Sequence, residues 1–130
     1  MTDQGQTLLV VEDEEVLREF EVQILGDSGY RVLQAECVAA ALRVAATTTP
    51  IHLLLTDLSL PDGNGIDLAH QFRVLHPQAA ILLLSGSVTG LEGKADGLEP
   101  FTLMGKPFAI PELLRTIRAL LADPAPPPRL

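Results

Sequence analysis

Short apolar runs, at about residues 7–11, 30–34, 51–56, 80–84 and 101–105, recur along this chain, and between them the apolar residues repeat with helical period. That alternation predicts a parallel sheet covered on both faces, because a parallel pair of strands needs a long crossover, normally a helix, to bring the chain back. The expected fold class is therefore α/β, with five strands and five helices. At 130 residues the chain has the size of one domain that can bury a single core without staples. With 47% hydrophobic residues, only 4% aromatic and no tryptophan, that core has to be built from Leu, Val, Ile and Ala.

The expected helices follow from periodicity and stop signals. The first runs from about Glu14 to Ser28 with Leu17, Phe20 and Ile24 facing inward and Gly29 ending it. The second, near Val38 to Ala46, offers Ala41, Leu42 and Ala45. The third, Gly65 to Leu75, carries Leu68, Phe72 and Leu75 and stops at His76-Pro77. The fifth begins at Pro111 and presents Ile110, Leu114, Ile117 and Leu121. Between Ser87 and Glu99 the fourth contains Gly90, Gly93 and Gly97, and each interior glycine costs a helix about 1 kcal/mol against alanine. A short or mobile fourth helix is expected. After Asp123 the chain reads Pro124-Ala125-Pro126-Pro127-Pro128-Arg129-Leu130, a proline-rich tail or linker. The division expected is an N-terminal extension over 1–6, one domain over 7–122 and the tail over 123–130.

A net charge of −8 argues against a nucleic-acid surface, which needs clustered Lys and Arg to replace phosphate counterions. The lone Cys37 can form no internal disulfide, and no stretch of about 18 apolar residues could span a bilayer. Residues Met1 to Gln6 show no positive region followed by an apolar one, so no signal peptide is read and a cytoplasmic location is expected. His52, His70 and His76 lack metal spacing and read as ordinary structural or surface residues. Asp62-Gly63-Asn64 begins like a calcium loop but lacks the later ligands, which makes it a turn.

Chemistry gathers at the ends of three runs. Ile51-His52-Leu53-Leu54-Leu55-Thr56 ends in Asp57, Leu8-Leu9-Val10-Val11 runs into Glu12-Asp13, and Phe101-Thr102-Leu103-Met104-Gly105 runs into Lys106-Pro107. In open α/β sheets the carboxyl ends of the strands are where ligands bind. Taken alone, Glu12 and Asp13 read as an acidic start to the first helix, complementing its dipole. A carboxylate after six mostly apolar residues is harder to dismiss, since Asp57 needs a partner or a solvent-facing cleft. Mg²⁺, with Mn²⁺ as a second possibility, is a hard cation that takes carboxylate oxygens beside a phosphate oxygen. Asp57 would then be a nucleophile forming an aspartyl phosphate, and Lys106 would neutralise the incoming phosphoryl oxygens.

These residues resemble the receiver domain of two-component response regulators, the chemotaxis-regulator type included. The likeness runs from about Thr7 to Leu121 through Leu9-Val10-Val11-Glu12-Asp13-Glu14, Asp57-Leu58-Ser59-Leu60-Pro61-Asp62-Gly63-Asn64-Gly65, Leu84-Ser85-Gly86 and Lys106-Pro107-Phe108. It implies a flavodoxin-like, doubly wound sheet with strand order 2-1-3-4-5. It also implies phosphorylation of Asp57 by a histidine kinase or a histidine phosphotransfer domain, and a signal passed to a downstream protein or a linked output domain. By position, Glu12 and Asp13 match the acidic pair that holds Mg²⁺, and Ser59 would add its backbone carbonyl. Ser85 matches the hydroxyl residue that binds the phosphoryl group, Lys106 matches the phosphate-binding lysine, and the Lys106–Pro107 bond would be cis. Such a domain is not a free-standing enzyme, although it assists its own phosphorylation and dephosphorylation.

One position departs from the pattern. Three residues before Lys106, where many relatives carry Tyr or Phe, this chain has Leu103. Two other readings stay open at this point. An Asp-nucleophile phosphohydrolase of the haloacid dehalogenase type would carry a second Asp two residues after the nucleophile, where Ser59 stands here. A receiver-like binding module that is never phosphorylated would have no need of Asp57, Ser85 and Lys106 together with the acidic pair. The Met1 start suits a stand-alone or N-terminal receiver, and the tail suits a linker.

Overall fold

The computed structural model describes residues 5–86 and 101–122. In chain order the elements are β1 (Thr7–Val11), α1 (Glu15–Asp27), β2 (Arg31–Ala35), α2 (Val38–Thr47), β3 (Leu53–Asp57), β4 (Ser59–Leu60), β5 (Gly63–Asn64), α3 (Gly65–Leu75), β6 (Ala80–Ser85), β7 (Thr102–Gly105) and α4 (Ile110–Ala122). A five-stranded sheet has the order β2-β1-β3-β6-β7 and every pair in it is parallel. Counting only its long strands, this is the expected order 2-1-3-4-5. Four of the helices lie among the described residues; the one expected over Ser87 to Glu99 falls outside them. A two-residue ladder between β4 and β5, which the apolar pattern does not announce, closes the turn after β3.

The inner strands β1, β3 and β6 are buried on both faces because their apolar residues run nearly without interruption. Leu9, Val11, Leu54 and Leu83 join the cluster holding Ala41 and Ala45 of α2 and Leu68, Ala69 and Phe72 of α3. Their neighbours Leu8, Val10, Leu53, Leu55, Leu82 and Leu84 join the opposite cluster with Leu25 of α1 and Leu113 and Ile117 of α4. Consecutive strand residues point to opposite faces, so one strand feeds two cores. His52 and His76 serve this framework: the His52 Nδ1 accepts from the Thr7 N–H at 2.9 Å, and the His76 Nε2 lies 2.8 Å from the Ala45 carbonyl oxygen.

In three helices the buried stripe departs from the expected one at single positions. In α1 the buried residues are Glu21 and Leu25, while Phe20 is 43% exposed. In α3 Leu68 and Phe72 are buried as expected but Leu75, in the last turn, is exposed. In α4 Leu113 and Ile117 face the sheet and Ile110 is turned outward. An apolar residue at either border of a stripe has two possible positions, and packing against the sheet decides between them.

Candidate functional site

The topology brings four strand ends together. Glu12 and Asp13 follow β1, Asp57 closes β3, Ser85 closes β6 and Lys106 follows β7, on four strands that are consecutive in the sheet. Together with Glu14, Leu58, Ser59, Leu84 and Gly86 they line an open cavity of about 530 Å³. All six residues singled out in the sequence, Glu12, Asp13, Asp57, Ser59, Ser85 and Lys106, therefore share one cavity.

Backbone hydrogen bonds fix the cavity walls. The Leu58 N–H donates to the Leu84 carbonyl at 2.8 Å, and the Lys106 N–H donates to the Ser85 carbonyl at 2.7 Å, so the segments beyond β3 and β7 stay tied to β6. The Glu12 N–H donates to Ala35 at 3.1 Å, and the Arg18 guanidinium of α1 donates to the Glu12 carbonyl at 2.9 Å. The Lys106–Pro107 peptide bond is cis. Across from these, the Asp62 carboxylate accepts from the N–H groups of Val38 at 2.7 Å and Ala39 at 3.0 Å. It caps the start of α2, and these two bonds hold its carboxyl below the ordinary range. The turn reading of Asp62-Gly63-Asn64 agrees with this, since Asn64 caps α3 by accepting from the Asp67 N–H at 2.8 Å.

Gly65 begins α3 directly behind the strand end. A Cβ there would run into the Asp57 carbonyl oxygen and come within 3.0 Å of the Asp57 carbonyl carbon and 3.2 Å of the Leu58 Cα. The Gly65 N–H in turn donates to the Leu58 carbonyl at 2.7 Å. Backbone cannot retreat as a flexible side chain can, so Gly65→Ala is expected to push Asp57 out of register at a cost of about 1–3 kcal/mol. Urea denaturation would show the loss of stability, and phosphodonor labelling would fall with it.

Charge dominates the cavity. One oxygen each from Glu12, Asp13 and Asp57 lie within 4.8 Å of one another, with Glu12 and Asp57 buried and Asp13 exposed. The Lys106 ammonium stands 3.1 Å from a Glu12 oxygen and 2.7 Å from the Asp57 Oδ1. The shorter of the two distances makes Asp57 the tighter partner of the ammonium. Burial, followed by the Glu12 carboxyl beside it, pushes the Asp57 carboxyl up, and Lys106 only partly offsets this. For Lys106, burial alone would lower its value; the two acids outweigh that and hold the ammonium charged. One cation facing three carboxylates leaves an excess of negative charge that a divalent cation with oxygen ligands fits.

Glu21 is the charged residue that sequence reasoning missed. It sits on the inner face of α1 at 1% exposure. The available signal was its place in the row Leu17, Glu21, Leu25, whose spacing of four puts the three on one side of a helix.

Known proteins resemble this chain along most of its length. The family model described as the response regulator receiver domain matches residues 8–118. The KDP operon transcriptional regulatory protein KdpE of Escherichia coli is 35% identical over 130 residues, covering 93% of this chain and 55% of its own length. The response regulator receiver protein CpdR of Brucella abortus is 30% identical, covering 88% of this chain and 95% of its own. Among solved structures, the response regulator TrrA of Thermotoga maritima, in complex with Mg²⁺ and BeF, superimposes with a TM-score of 0.79 at 26% identity, covering 89% of this chain and 99% of that one. The chain spans about half the length of the first curated relatives it matches.

Proposed function

Because this chain belongs to the response regulator receiver family of two-component signalling, we propose that Asp57 is the residue on which it takes a phosphoryl group. The observation that carries this is the pairing of a buried Asp57 with Lys106 at 2.7 Å, at a strand end that also gathers Glu12 and Asp13. A histidine kinase or a histidine phosphotransfer domain is the natural donor. In the step itself an Asp57 oxygen bonds to the phosphorus as the bond from phosphorus to the donor breaks, leaving an acyl phosphate.

Each neighbour has a distinct part. Glu12, Asp13 and Asp57, with the Ser59 backbone carbonyl, would hold Mg²⁺ or Mn²⁺, which when bound neutralises the crowded carboxylates and the phosphoryl oxygens. Lys106 moves from a Glu12 and Asp57 partner to a partner of the phosphoryl oxygens, a short displacement from where its ammonium already stands. Ser85, at the end of β6, donates a hydrogen bond from its hydroxyl to a phosphoryl oxygen. The new contacts draw the β6 and β7 ends toward Asp57, and that movement is the signal read by a downstream protein or an attached output domain. Self-catalysed hydrolysis of the acyl phosphate would return the resting state; the family is one of signalling domains. The division into a domain over 7–122 and a linker over 123–130 fits relatives about twice as long, and a cytoplasmic location fits a kinase-coupled role. Among the described residues no helix is long and apolar enough to cross a membrane.

Incubation with acetyl phosphate or phosphoramidate plus Mg²⁺ is expected to add one phosphoryl group, measured by intact mass, and chelation of the metal is expected to prevent it. Multiple turnovers of a phosphomonoester without a stable adduct would favour the hydrolase reading. Absence of any adduct with every donor and metal would favour a binding module.

A further inference from the structure

Glu21 lies on the sheet-facing side of α1, 1% exposed, and neither carboxyl oxygen has a hydrogen-bond partner among the described residues. Buried carboxylates normally survive by pairing with a cation or collecting N–H donors, and an isolated ion in an apolar setting keeps its proton instead. Among the described residues its surroundings along α1 are apolar. One turn along α1 is Leu25, which belongs to the cluster formed with Val10, Leu55 and Leu84 of the sheet, Tyr30, and Leu113 and Ile117 of α4. One turn back is Leu17, which with Phe20 lines a cavity of about 430 Å³ shared with Lys106, Pro107 and Phe108.

We propose that Glu21 is a protonation-sensitive latch on α1: it must be neutral for the helix to lie against the sheet, so rising pH loosens the helix whose N-cap, Glu14, lines the phosphoacceptor cavity. The link to the cavity is short. Four residues after β1 ends, α1 begins, and three residues before Glu21 the Arg18 guanidinium holds the Glu12 carbonyl at 2.9 Å. The charged groups acting on Glu21 come from the sheet edge: Glu12 beyond β1 and Asp57 at the end of β3 disfavour its ionisation, and Lys106 beyond β7 favours it. From α4 the inward residues are the uncharged Leu113 and Ile117, and Arg18 on α1 itself is turned to Glu12 and Gln34. Burial is the largest influence, and the balance puts the Glu21 carboxyl at about 8 against an ordinary 4.5.

The sign of the pH dependence follows. Below pH 4.5 folded and unfolded chains both keep the proton and Glu21 contributes nothing to the pH slope. From there to about 8 the unfolded chain releases the proton and the folded one does not, so stability falls as pH rises, by up to about tenfold in the folding constant per pH unit. Above that value both release it and the slope vanishes. Phosphorylation adds negative charge at Asp57 and tightens the demand for a neutral Glu21, so the device opposes signalling under alkaline conditions. This last step alone rests on the phosphoacceptor reading.

Urea denaturation of the full chain, of Glu21→Gln and of Glu21→Leu between pH 5 and 8 is the test, with the Glu21 carboxyl followed by carbon NMR in the native protein. The ratio of folding constants, variant over native, should rise with pH toward tenfold per unit, and the Glu21 resonance should still be that of a protonated acid at pH 7. A ratio independent of pH, or a carboxyl titrating in the ordinary range, overturns the latch. Neither readout involves phosphate, so failure of the phosphoacceptor reading would leave both intact.

Discussion

Asp57→Asn is expected to give a folded protein that no phosphodonor labels, under conditions in which the native chain should take up one phosphoryl group. The substitution keeps shape and volume at the end of β3 and removes a buried carboxylate oxygen that stands 2.7 Å from the Lys106 ammonium and shares the cluster with Glu12 and Asp13. Glu12, the other buried acid of the cavity, is engaged by the Glu14 N–H and by Lys106 at 3.1 Å each, and Asp13 is exposed. Burial and Glu12 together push the Asp57 carboxyl up, so in the absence of metal the native protein holds like charges close together. Relief of that crowding means that Asp57→Asn should match or exceed the native chain in thermal stability, which separates loss of the acceptor from loss of the fold. Residual labelling at the native level would move the acceptor elsewhere.

Removal of the exposed acid is the second large effect. Asp13→Ala should lower the rate of phosphorylation by at least about ten- to a hundredfold, the range seen when even the outer partners of a metal site are lost. The remaining rate should respond little to Mg²⁺. The physical reason is the charge balance: with Asp13 gone, Lys106 faces two carboxylates, and the drive to recruit a divalent cation falls. Because Asp13 is exposed, the stability of the variant should change little. Rate against metal concentration for both proteins, from single-turnover labelling with phosphoramidate, measures this. An unchanged metal dependence would remove Asp13 from the site.

Strand positions and the site were readable from the chain because both depend on adjacent residues. An unbroken apolar run such as Leu53-Leu54-Leu55 marks a central strand, and the polar residue that ends it necessarily lies at the sheet's edge, so Glu12, Asp57 and Lys106 could be placed before any contact was known. Ser59 and Ser85 were different: nothing in their own neighbourhoods distinguishes them from turn serines, and the family resemblance alone singled them out. The inner stripe of α1 was misread for a related reason. Phe20 is more apolar than Glu21, yet the sheet accepts Leu25 and turns Glu21 inward with it, and composition along a helix cannot weigh that contact. Gly65 was legible as a helix start but not as a close approach, which depends on the Asp57 backbone returning beside it. The β4–β5 ladder is set by the same turn and left no apolar signature.

The central claim is that Asp57 carries the phosphoryl group, and borohydride trapping tests it most directly. An acyl phosphate is reduced at its carbonyl carbon, converting the aspartate that bore it to homoserine, so the modified position is recorded in the peptide itself. After phosphorylation with Mg²⁺ and reduction, peptide mass mapping should find homoserine at position 57 and nowhere else. Homoserine at another acid, or a stable phosphoryl group on a serine or histidine, would contradict the account.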